Sequence, residues 1–246
     1  MLLDLRLTME SGQPPQFLWK REGSKYFRYI NEKKCYLWQD KELHHTPGYD
    51  GYINEFLRAQ DDLEEIYGKI ATDPVMKRAV EKYRGLRITK NDPWETLVSF
   101  VCSINNNIPR ICKNVQSLMH KGRILSPEEL LSRDLEACRL GFRARFLKEI
   151  AEMMPSYDLT KIGRMDYEDA KAILMEFPGV GDKVSECILL FGYGFLEAFP
   201  VDVWIARAME RYYGVSGKNA REYARKRWGP LAGYAQQYLY CHIREV

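Results

Sequence analysis

Residues 175–187 read MEFPGVGDKVSEC and contain the most informative pattern in the chain. The first helix of this pattern is predicted to end near Phe177, and Gly179 and Gly181 then permit a tight hairpin with close backbone approach. A second helix is predicted to begin at about Asp182. The free amides at its start would face outward and favour an anion such as a phosphate. An ordinary helix-turn-helix connection could have the same sequence, so the hairpin alone does not decide the function.

The segment AFPVDVW at 198–204 supplies a carboxylate. Pro200 is predicted to end a loop, and Asp202 is a good N-cap for the helix that follows, which is the commoner role of such an aspartate. Lys183 is expected in the first turn after the hairpin, where the positive end of a helix disfavours a cation. A surface lysine there is the alternative. We interpret Lys183 and Asp202 as a candidate nucleophile and its carboxylate partner.

The composition bounds the classes of protein that the chain can belong to. It has 246 residues, 46% of them hydrophobic, and a net charge of +3. This length fits one large domain or two small ones, and the charge permits a nucleic-acid partner without requiring one. No stretch of about 18 apolar residues predicts a membrane span. The first ten residues do not resemble a signal peptide, so we expect an intracellular protein. The six cysteines lie far apart, which favours free thiols over zinc or iron–sulfur ligation.

The N-terminal region is predicted to contain an antiparallel sheet. FLWKR at 17–21, KYFRYI at 25–30 and KKCYLWQ at 33–39 alternate aromatic and polar residues between turn signals, as a meander does. The stretches 53–70 and 74–85 then show helical spacing. The first domain is accordingly predicted to span residues 1–90.

The rest of the chain, 91–246, is predicted to be almost wholly helical. Prolines punctuate this region and separate the candidate helices from one another. The fold class is therefore α+β, an N-terminal sheet with two helices followed by a helical body, with the helix-hairpin-helix at about 166–192. The predicted helices are 93–104, 108–120, 127–132, 134–139, 143–154, 166–176, 182–192, 202–213, 217–227 and 229–243.

The hairpin and the aspartate segment together resemble those of a known superfamily. LMEFPGVGDKVSECI at 174–188, followed by FPVDVW at 199–204, closely resembles the helix-hairpin-helix DNA glycosylases. In that superfamily a glycine- and proline-rich hairpin precedes a catalytic aspartate. A lysine at the position of Lys183 marks the bifunctional glycosylase/lyase members.

Three further segments resemble one branch of the superfamily, the 8-oxoguanine DNA glycosylases. They are CSINNNIPR at 102–110, GFRARFL at 141–147 and LAGYAQQYLY at 231–240. The resemblance runs in one order from about residue 3 to residue 240 and is strong from residue 93 onward. It implies a monomer that binds double-stranded DNA containing 8-oxoguanine and requires no cofactor. The cysteine pattern of the iron–sulfur glycosylases is absent.

The resemblance also implies roles for the catalytic and hairpin residues. Lys183 would attack the deoxyribose C1′, and Asp202 would steady the positive charge that develops on the sugar. Gly179 and Gly181 would bring the hairpin backbone to a DNA phosphate. A structural cation at the hairpin would be held by the main-chain carbonyls of Met175, Phe177 and Val180.

Further roles concern the site that the extruded nucleotide leaves. Asn105 would occupy the gap in the duplex, and Phe142 would wedge into the base stack. Arg110 and Arg143 would donate to the cytosine left without a partner, because guanidinium groups suit base edges. Trp204 stands where a phosphate-contacting histidine is often found in the family, which puts that contact in doubt.

The extruded base would be held by residues from three parts of the chain. Cys187 and Tyr240 would lie on its two faces, with Gln236 at its Watson–Crick edge. The carbonyl of Gly12 would accept the N7–H that distinguishes 8-oxoguanine. Residues four apart share a helix face, as Lys183 and Cys187 do. A core cysteine and a helix-packing tyrosine are the alternatives, and stacking would need the Tyr240 ring rather than its hydroxyl.

Two other functions remain open from the sequence. One is a monofunctional alkylpurine glycosylase, against which Lys183 argues, and the other is a non-enzymatic DNA-binding protein that keeps only the hairpin. The helical stretch 204–228 is the best candidate for a basic DNA-contacting surface, although charge runs are usually solvated faces. Its cations are Arg207, Arg211, Lys218, Arg221, Arg225, Lys226 and Arg227.

Overall fold

The computed structural model describes residues 1–245 and confirms the α+β fold class, an antiparallel sheet followed by a mostly helical body. The sheet has four strands in the order β1-β2-β3-β4, each antiparallel to its neighbour. The strands are β1 Lys20–Glu22, β2 Lys25–Ile30, β3 Lys33–Gln39 and β4 Leu43–His45.

The register of the sheet follows from its hydrophobic pattern. Tyr26 pairs with Leu37 and Arg28 with Cys35, and all four side chains are buried. Because successive side chains point to opposite faces, this register gives the sheet one buried face. The predicted first strand was partly wrong, since Pro15 starts a helical turn that includes residues 17 and 18.

Five helices accompany the sheet rather than the two predicted. The stretch 53–70 is divided because Arg58 has a φ of 49° and Asp62 starts a new helix by accepting from the amides of Glu64 and Glu65. The sequence analysis missed the helix at the N-terminus. The five are α1 Leu5–Glu10, α2 Pro15–Leu18, α3 Asp50–Phe56, α4 Leu63–Ile70 and α5 Pro74–Lys82.

The body contains ten more α-helices among the described residues. They are α6 Pro93–Ser103, α7 Ile108–Ser117, α8 Pro127–Ser132, α9 Arg143–Met153, α10 Leu159–Ile162, α11 Tyr167–Met175, α12 Asp182–Ile188, α13 Val203–Tyr213, α14 Ala220–Trp228 and α15 Ala232–Arg244. A π-helical segment, Leu189–Tyr193, continues α12. The predicted helix at 134–139 is instead a series of turns, because the Asp134 carboxylate accepts from the amides of Glu136 and Ala137.

The last helix, α15, crosses the molecule and joins its two parts. Its residues 232–239 are buried, and it packs against α13, α4 and α5. The hydroxyls of Tyr67 in α4 and Tyr238 in α15 form a hydrogen bond of 2.8 Å. One hydrophobic core therefore extends through both the N-terminal region and the helical body. The division at residue 90 stays a prediction. Within residues 1–245, no helix has the length and hydrophobicity to cross a bilayer.

Candidate active site

Lys183 lies in the first turn of α12 with its side chain half-buried against α6. Its Nζ is 5.0 Å from the centroid of the Phe100 ring and donates to Ser103 Oγ at 3.4 Å. Both partners belong to α6, so the amine lies against that helix. Lys183 takes part in none of the ion pairs formed by residues 1–245. Its contacts therefore leave the amine without a carboxylate partner.

The two hairpin glycines have different structural roles. Gly179 has a φ of 79°, and a Cβ at this position would lie 2.6 Å from the Phe146 ring. Both the backbone conformation and the packing therefore require glycine. Gly181 is the N-cap of α12, has an ordinary φ of −95° and is exposed. The start of α12 is consequently open to solvent.

The carbonyls of the hairpin turn have free hydrogen-bonding capacity. Within residues 1–245, no hydrogen bond reaches the carbonyls of Met175 and Val180, and the Phe177 carbonyl accepts one, from the Val180 amide at 3.0 Å. Carbonyl oxygens of this kind are suitable ligands for a hard cation. No cluster of three or more metal-binding side chains occurs in the same residues. A hairpin cation would therefore be held by main-chain oxygens.

Asp202 caps the helix α13 with one of its two carboxylate oxygens. Its Oδ1 accepts from the amides of Trp204 at 2.9 Å and Ile205 at 2.8 Å. The other oxygen, Oδ2, makes no hydrogen bond within the described part of the chain. Capping fixes the orientation of the carboxylate and leaves one oxygen available to a substrate. The capping role and a catalytic role are therefore compatible.

The charges of Lys183 and Asp202 both act on Cys187. Burial raises the pKa of the Cys187 thiol to about 11, with a contribution from the Asp202 carboxylate, while the Lys183 charge opposes the rise. Burial also raises the pKa of Tyr240 to about 12, and Asp202 again contributes. Such Coulombic effects require short distances. Lys183 and Cys187 of α12, the α13 cap Asp202 and Tyr240 of α15 therefore lie within range of one another's charges.

Gly12 lies directly against the half-buried Tyr240 ring. It has a φ of 82°, and a Cβ there would be 2.9 Å from Tyr240 Cε1. Its amide donates to Gln16 Oε1 at 2.8 Å. Gln236, one turn before Tyr240, is 5% exposed and its Oε1 has no partner in the described residues. Since buried acceptors are normally paired, this oxygen is available to a ligand.

Two buried glutamines that the sequence analysis missed hold the Gly12 loop in place. Gln13 Nε2 donates to the Arg87 carbonyl at 2.9 Å, and its Oε1 accepts from the Thr89 amide at 3.0 Å. Gln237 Nε2 of α15 donates to the Ser11 carbonyl at 2.9 Å. The loop is thus fixed both to the chain before α6 and to the helix that carries Tyr240.

Arg143 is buried and engaged with the loop that precedes α7. Its guanidinium donates to the carbonyls of Ile104, Asn105 and Leu140, and the bond to Asn105 is 2.8 Å long. Burial and the charge of nearby Arg110 lower the pKa of Arg143. Asn105 itself is exposed and has a φ of 47°. Arg143 therefore shapes this loop, while the exposed Arg110 makes no ion pair within residues 1–245.

Phe142 is an unusually exposed aromatic residue beside these arginines. Half of its surface is accessible, and it makes an edge contact with Phe146 at 5.8 Å between centroids. The Arg143 guanidinium carbon is 4.6 Å from its ring centroid. The structure thus places Arg143 against Phe142 and the Asn105 carbonyl, with the Arg110 charge nearby, and these four residues form a second candidate surface.

The basic surface of 204–228 is smaller than the sequence suggests, because ion pairs occupy four of its seven cations. These pairs are Arg221 with Asp182, Arg225 with Glu168, Lys226 with Glu222, and Arg227 with Asp73. Within residues 1–245, Arg207, Arg211 and Lys218 have no such partner. Fewer of these side chains are free to contact phosphates.

Glu186 is a fully buried carboxylate that the sequence analysis did not identify. Its Oε1 accepts from Lys171 Nζ of α11 at 2.9 Å and lies 3.7 Å from Arg221 Nη1 of α14. Its Oε2 accepts from the amide of Phe199 at 2.8 Å, three residues before Asp202. Glu186 therefore joins both hairpin helices to the loop that carries the catalytic candidate Asp202.

Two family models cover nearly all of the chain. The N-terminal domain of 8-oxoguanine DNA glycosylase matches residues 2–97, and the HhH-GPD superfamily of base excision DNA repair proteins matches residues 98–232. A "Probable N-glycosylase/DNA lyase" from Methanothermobacter thermautotrophicus is 30% identical, over 98% of this chain and 93% of its own length. The chain belongs to the 8-oxoguanine DNA glycosylase/lyases of the helix-hairpin-helix superfamily.

Solved structures of glycosylase/lyases agree with this membership. The 8-oxoguanine glycosylase/lyase of Clostridium acetobutylicum, in complex with duplex DNA containing cytosine opposite 8-oxoguanine, has a TM-score of 0.88 and 31% identity. The alignment covers 99% of this chain and 92% of that one. MBOgg1, in complex with a low-affinity DNA ligand, has a TM-score of 0.89 and 33% identity, with 99% and 92% covered.

In this glycosylase/lyase, we predict that Glu186→Gln lowers the free energy of unfolding by about 3 kcal/mol, because it leaves the buried Lys171 ammonium without its full countercharge. Urea denaturation measures the change. The matched control is Glu222→Gln, which breaks an exposed pair with Lys226 and should cost about 0.5 kcal/mol or less. Equal stabilities of the two variants would contradict a structural role for the buried network.

Proposed function

We propose that this family member excises 8-oxoguanine from duplex DNA and then cleaves the strand through a Schiff base formed by Lys183. The observation that carries the proposal is the position of Lys183 one turn before Cys187 on α12, with the Asp202 charge acting on the same cysteine. An amine without an ion-pair partner, held against Ser103 and the Phe100 ring of α6, suits nucleophilic attack on a sugar carbon. Direct hydrolysis would not need the amine.

The proposed reaction begins at C1′ of the damaged nucleotide. The nitrogen lone pair of neutral Lys183 forms a bond to C1′ while the glycosidic bond breaks. The electron pair of the glycosidic bond leaves with the base, which takes up a proton. Loss of a proton from nitrogen and opening of the sugar ring give the Schiff base. Removal of a C2′ proton then expels the 3′ phosphate by β-elimination.

Asp202 would assist by electrostatic stabilisation. As the glycosidic bond breaks, positive charge develops on the sugar, and a fixed carboxylate stabilises it without reorganising. The two amides of α13 that bind Oδ1 hold Asp202 in one orientation, and Oδ2 is open to the substrate. This geometry supports a stabilising role beyond the helix cap.

The base would be held by Cys187 and Tyr240 on its faces and by Gln236 at its Watson–Crick edge. The unpaired Gln236 Oε1 is an acceptor of the kind that the ring N–H and amino group of a guanine base need. The contact between Gly12 and Tyr240 supports a role for the Gly12 carbonyl in accepting N7–H. An undamaged guanine lacks that donor.

A preference for cytosine as the opposite base would depend on the second surface. Arg110 is exposed and can donate to an unpaired cytosine, with Arg143 beside it. The exposed Phe142 would wedge into the stack and Asn105 would fill the gap. The hairpin would contact the DNA backbone through Gly179 and Gly181, assisted by a cation on the hairpin carbonyls.

The two alternative functions predict different chemistry. A monofunctional alkylpurine glycosylase would release a base without forming a covalent intermediate, and a non-enzymatic module would release none. Incubation with damaged duplex and borohydride distinguishes the proposed lyase from both alternatives, because reduction traps only a Schiff base. The free, half-buried amine of Lys183 favours the lyase over both alternatives.

We predict that Lys183→Gln abolishes adduct trapping and strand cleavage while damaged DNA remains bound, since the amide is not nucleophilic. Borohydride trapping and a binding assay measure the two properties. The matched control Lys226→Gln, which alters an exposed lysine paired with Glu222, should trap as well as wild type. A borohydride-stable adduct in Lys183→Gln would identify another nucleophile.

We predict that Asp202→Asn lowers single-turnover base excision by about 10²–10³-fold, because a neutral amide stabilises the sugar cation poorly. Loss of the charged cap should cost only about 1 kcal/mol of stability. Asp62→Asn is the matched control, because Asp62 caps α4 with the same pattern of amide bonds. If Asp202→Asn excised the base as fast as this control, Asp202 would be a cap alone.

We predict that Arg110→Ala narrows the difference in excision rate between cytosine and the other opposite bases. Each guanidinium–base pairing that is removed is worth roughly 1–3 kcal/mol of discrimination. Single-turnover rates with each of the four opposite bases measure it, with Arg133→Ala as an exposed arginine control. Unchanged relative excision rates across the four duplexes would contradict a role of Arg110 in recognising the opposite base.

A further inference from the structure

Arg244, the last residue of α15, lies against two aromatic rings. Its guanidinium carbon is 5.0 Å from the centroid of the Tyr240 ring and 5.6 Å from that of Trp204. It also donates a hydrogen bond to the Tyr240 hydroxyl. Two ring contacts and one hydrogen bond thus hold the guanidinium in one place. Stacking on a base would need only the Tyr240 ring, so the hydrogen bond from Arg244 gives the Tyr240 hydroxyl a separate role.

This guanidinium lies close to the candidate catalytic carboxylate. Trp204 follows Asp202 by two residues, and its amide donates to Asp202 Oδ1 at 2.9 Å. The Asp202 charge also reaches Tyr240. Arg244 therefore contacts Trp204, which follows Asp202 by two residues, and Tyr240, on which the Asp202 charge acts.

The environment of Arg244 differs from that of the arginines in α14. Arg221, Arg225 and Arg227 each form an ion pair with a carboxylate. Arg225 and Arg227 also lie over aromatic rings, but Arg244 has such rings without any carboxylate partner among the ion pairs of residues 1–245. A guanidinium stacked on a ring keeps the N–H groups at its edge free for a phosphate.

We propose that Arg244 binds the DNA phosphate next to the extruded nucleotide, and that Trp204 and the Tyr240 hydroxyl hold it in position. The proposal rests on the proposed function, because a sugar attacked beside Asp202 would bring its own phosphates towards Trp204 and Tyr240, the residues that hold Arg244. Arg244 is thus a positioning contact for the extruded nucleotide, because a phosphate contact fixes the DNA without reading the base. It follows that Tyr240→Phe, which keeps the stacking ring, still weakens DNA binding, because Arg244 loses its hydrogen bond to the Tyr240 hydroxyl.

The first test is the salt dependence of binding to a duplex with one tetrahydrofuran abasic analogue. Removing one protein–phosphate interaction should reduce the slope of log K against log salt by about 0.9. We expect this reduction in Arg244→Met. Lys41→Met removes the same charge from an exposed position in the β3–β4 turn and should leave the slope unchanged. Arg244→Lys retains the charge and should keep a slope near that of wild type.

The second test is a double-mutant cycle of Arg244→Met and Tyr240→Phe on the same duplex. We expect each single variant to bind about three- to tenfold more weakly at low salt, in the range of single electrostatic contacts. The double variant should bind no more weakly than Arg244→Met, because the hydroxyl acts only through the arginine. Thermal unfolding of each variant confirms that it is folded.

Three results would overturn the proposal. They are an unchanged salt slope in Arg244→Met, an equal reduction of the slope in Arg244→Lys, and additive effects in the cycle. Failure of the proposed function is detected separately, by the absence of a borohydride adduct with the wild-type protein. The binding measurements use the tetrahydrofuran duplex without borohydride, so their outcome does not depend on that adduct.

Discussion

The relative position of Lys183 and Asp202 depends on the buried carboxylate of Glu186. The two candidate catalytic residues lie on different elements, and Glu186 binds Lys171 on one side and the Phe199 amide on the other. Burying a carboxylate costs several kcal/mol unless its lone pairs are satisfied. The geometry that satisfies both oxygens therefore allows little freedom between α12 and the loop before α13. The hairpin and the carboxylate are held as one unit.

A second constraint acts between the two ends of the chain. The N-terminal loop meets α15 where Gly12 touches the Tyr240 ring, and any side chain at position 12 would displace that ring. Gln13 and Gln237 fix the loop from both sides with buried hydrogen bonds. Because buried polar groups must be paired, these bonds specify one loop conformation. The proposed base pocket would therefore form only when the N-terminal region and the helical body share their core.

The sequence predicted those features that local chemistry determines. The hairpin, the Asp202 cap and the alternating strands β2 and β3 each follow from a short pattern of residue types. The helix α1 was missed because its start depends on an Asp4 cap within an apolar stretch that also suits a strand. Glu186 could not be identified, since a glutamate within a helix normally indicates an exposed face. Glu186 is buried because it pairs with Lys171, 15 positions before it, and with the Phe199 amide, 13 positions after it.

The proposed excision site and the proposed opposite-base surface differ in how many of their hydrogen-bonding groups are free before DNA binds. On the excision side, the Gln236 acceptor and one oxygen of Asp202 are already free, and packing fixes their positions. On the opposite-base side, Arg143 already donates to three loop carbonyls, so a base would have to compete with the backbone for most of its N–H groups. The exposed Arg110 faces no such competition. Reading of the opposite base should consequently depend more on Arg110, while Arg143 contributes mainly by shaping the loop that carries Asn105.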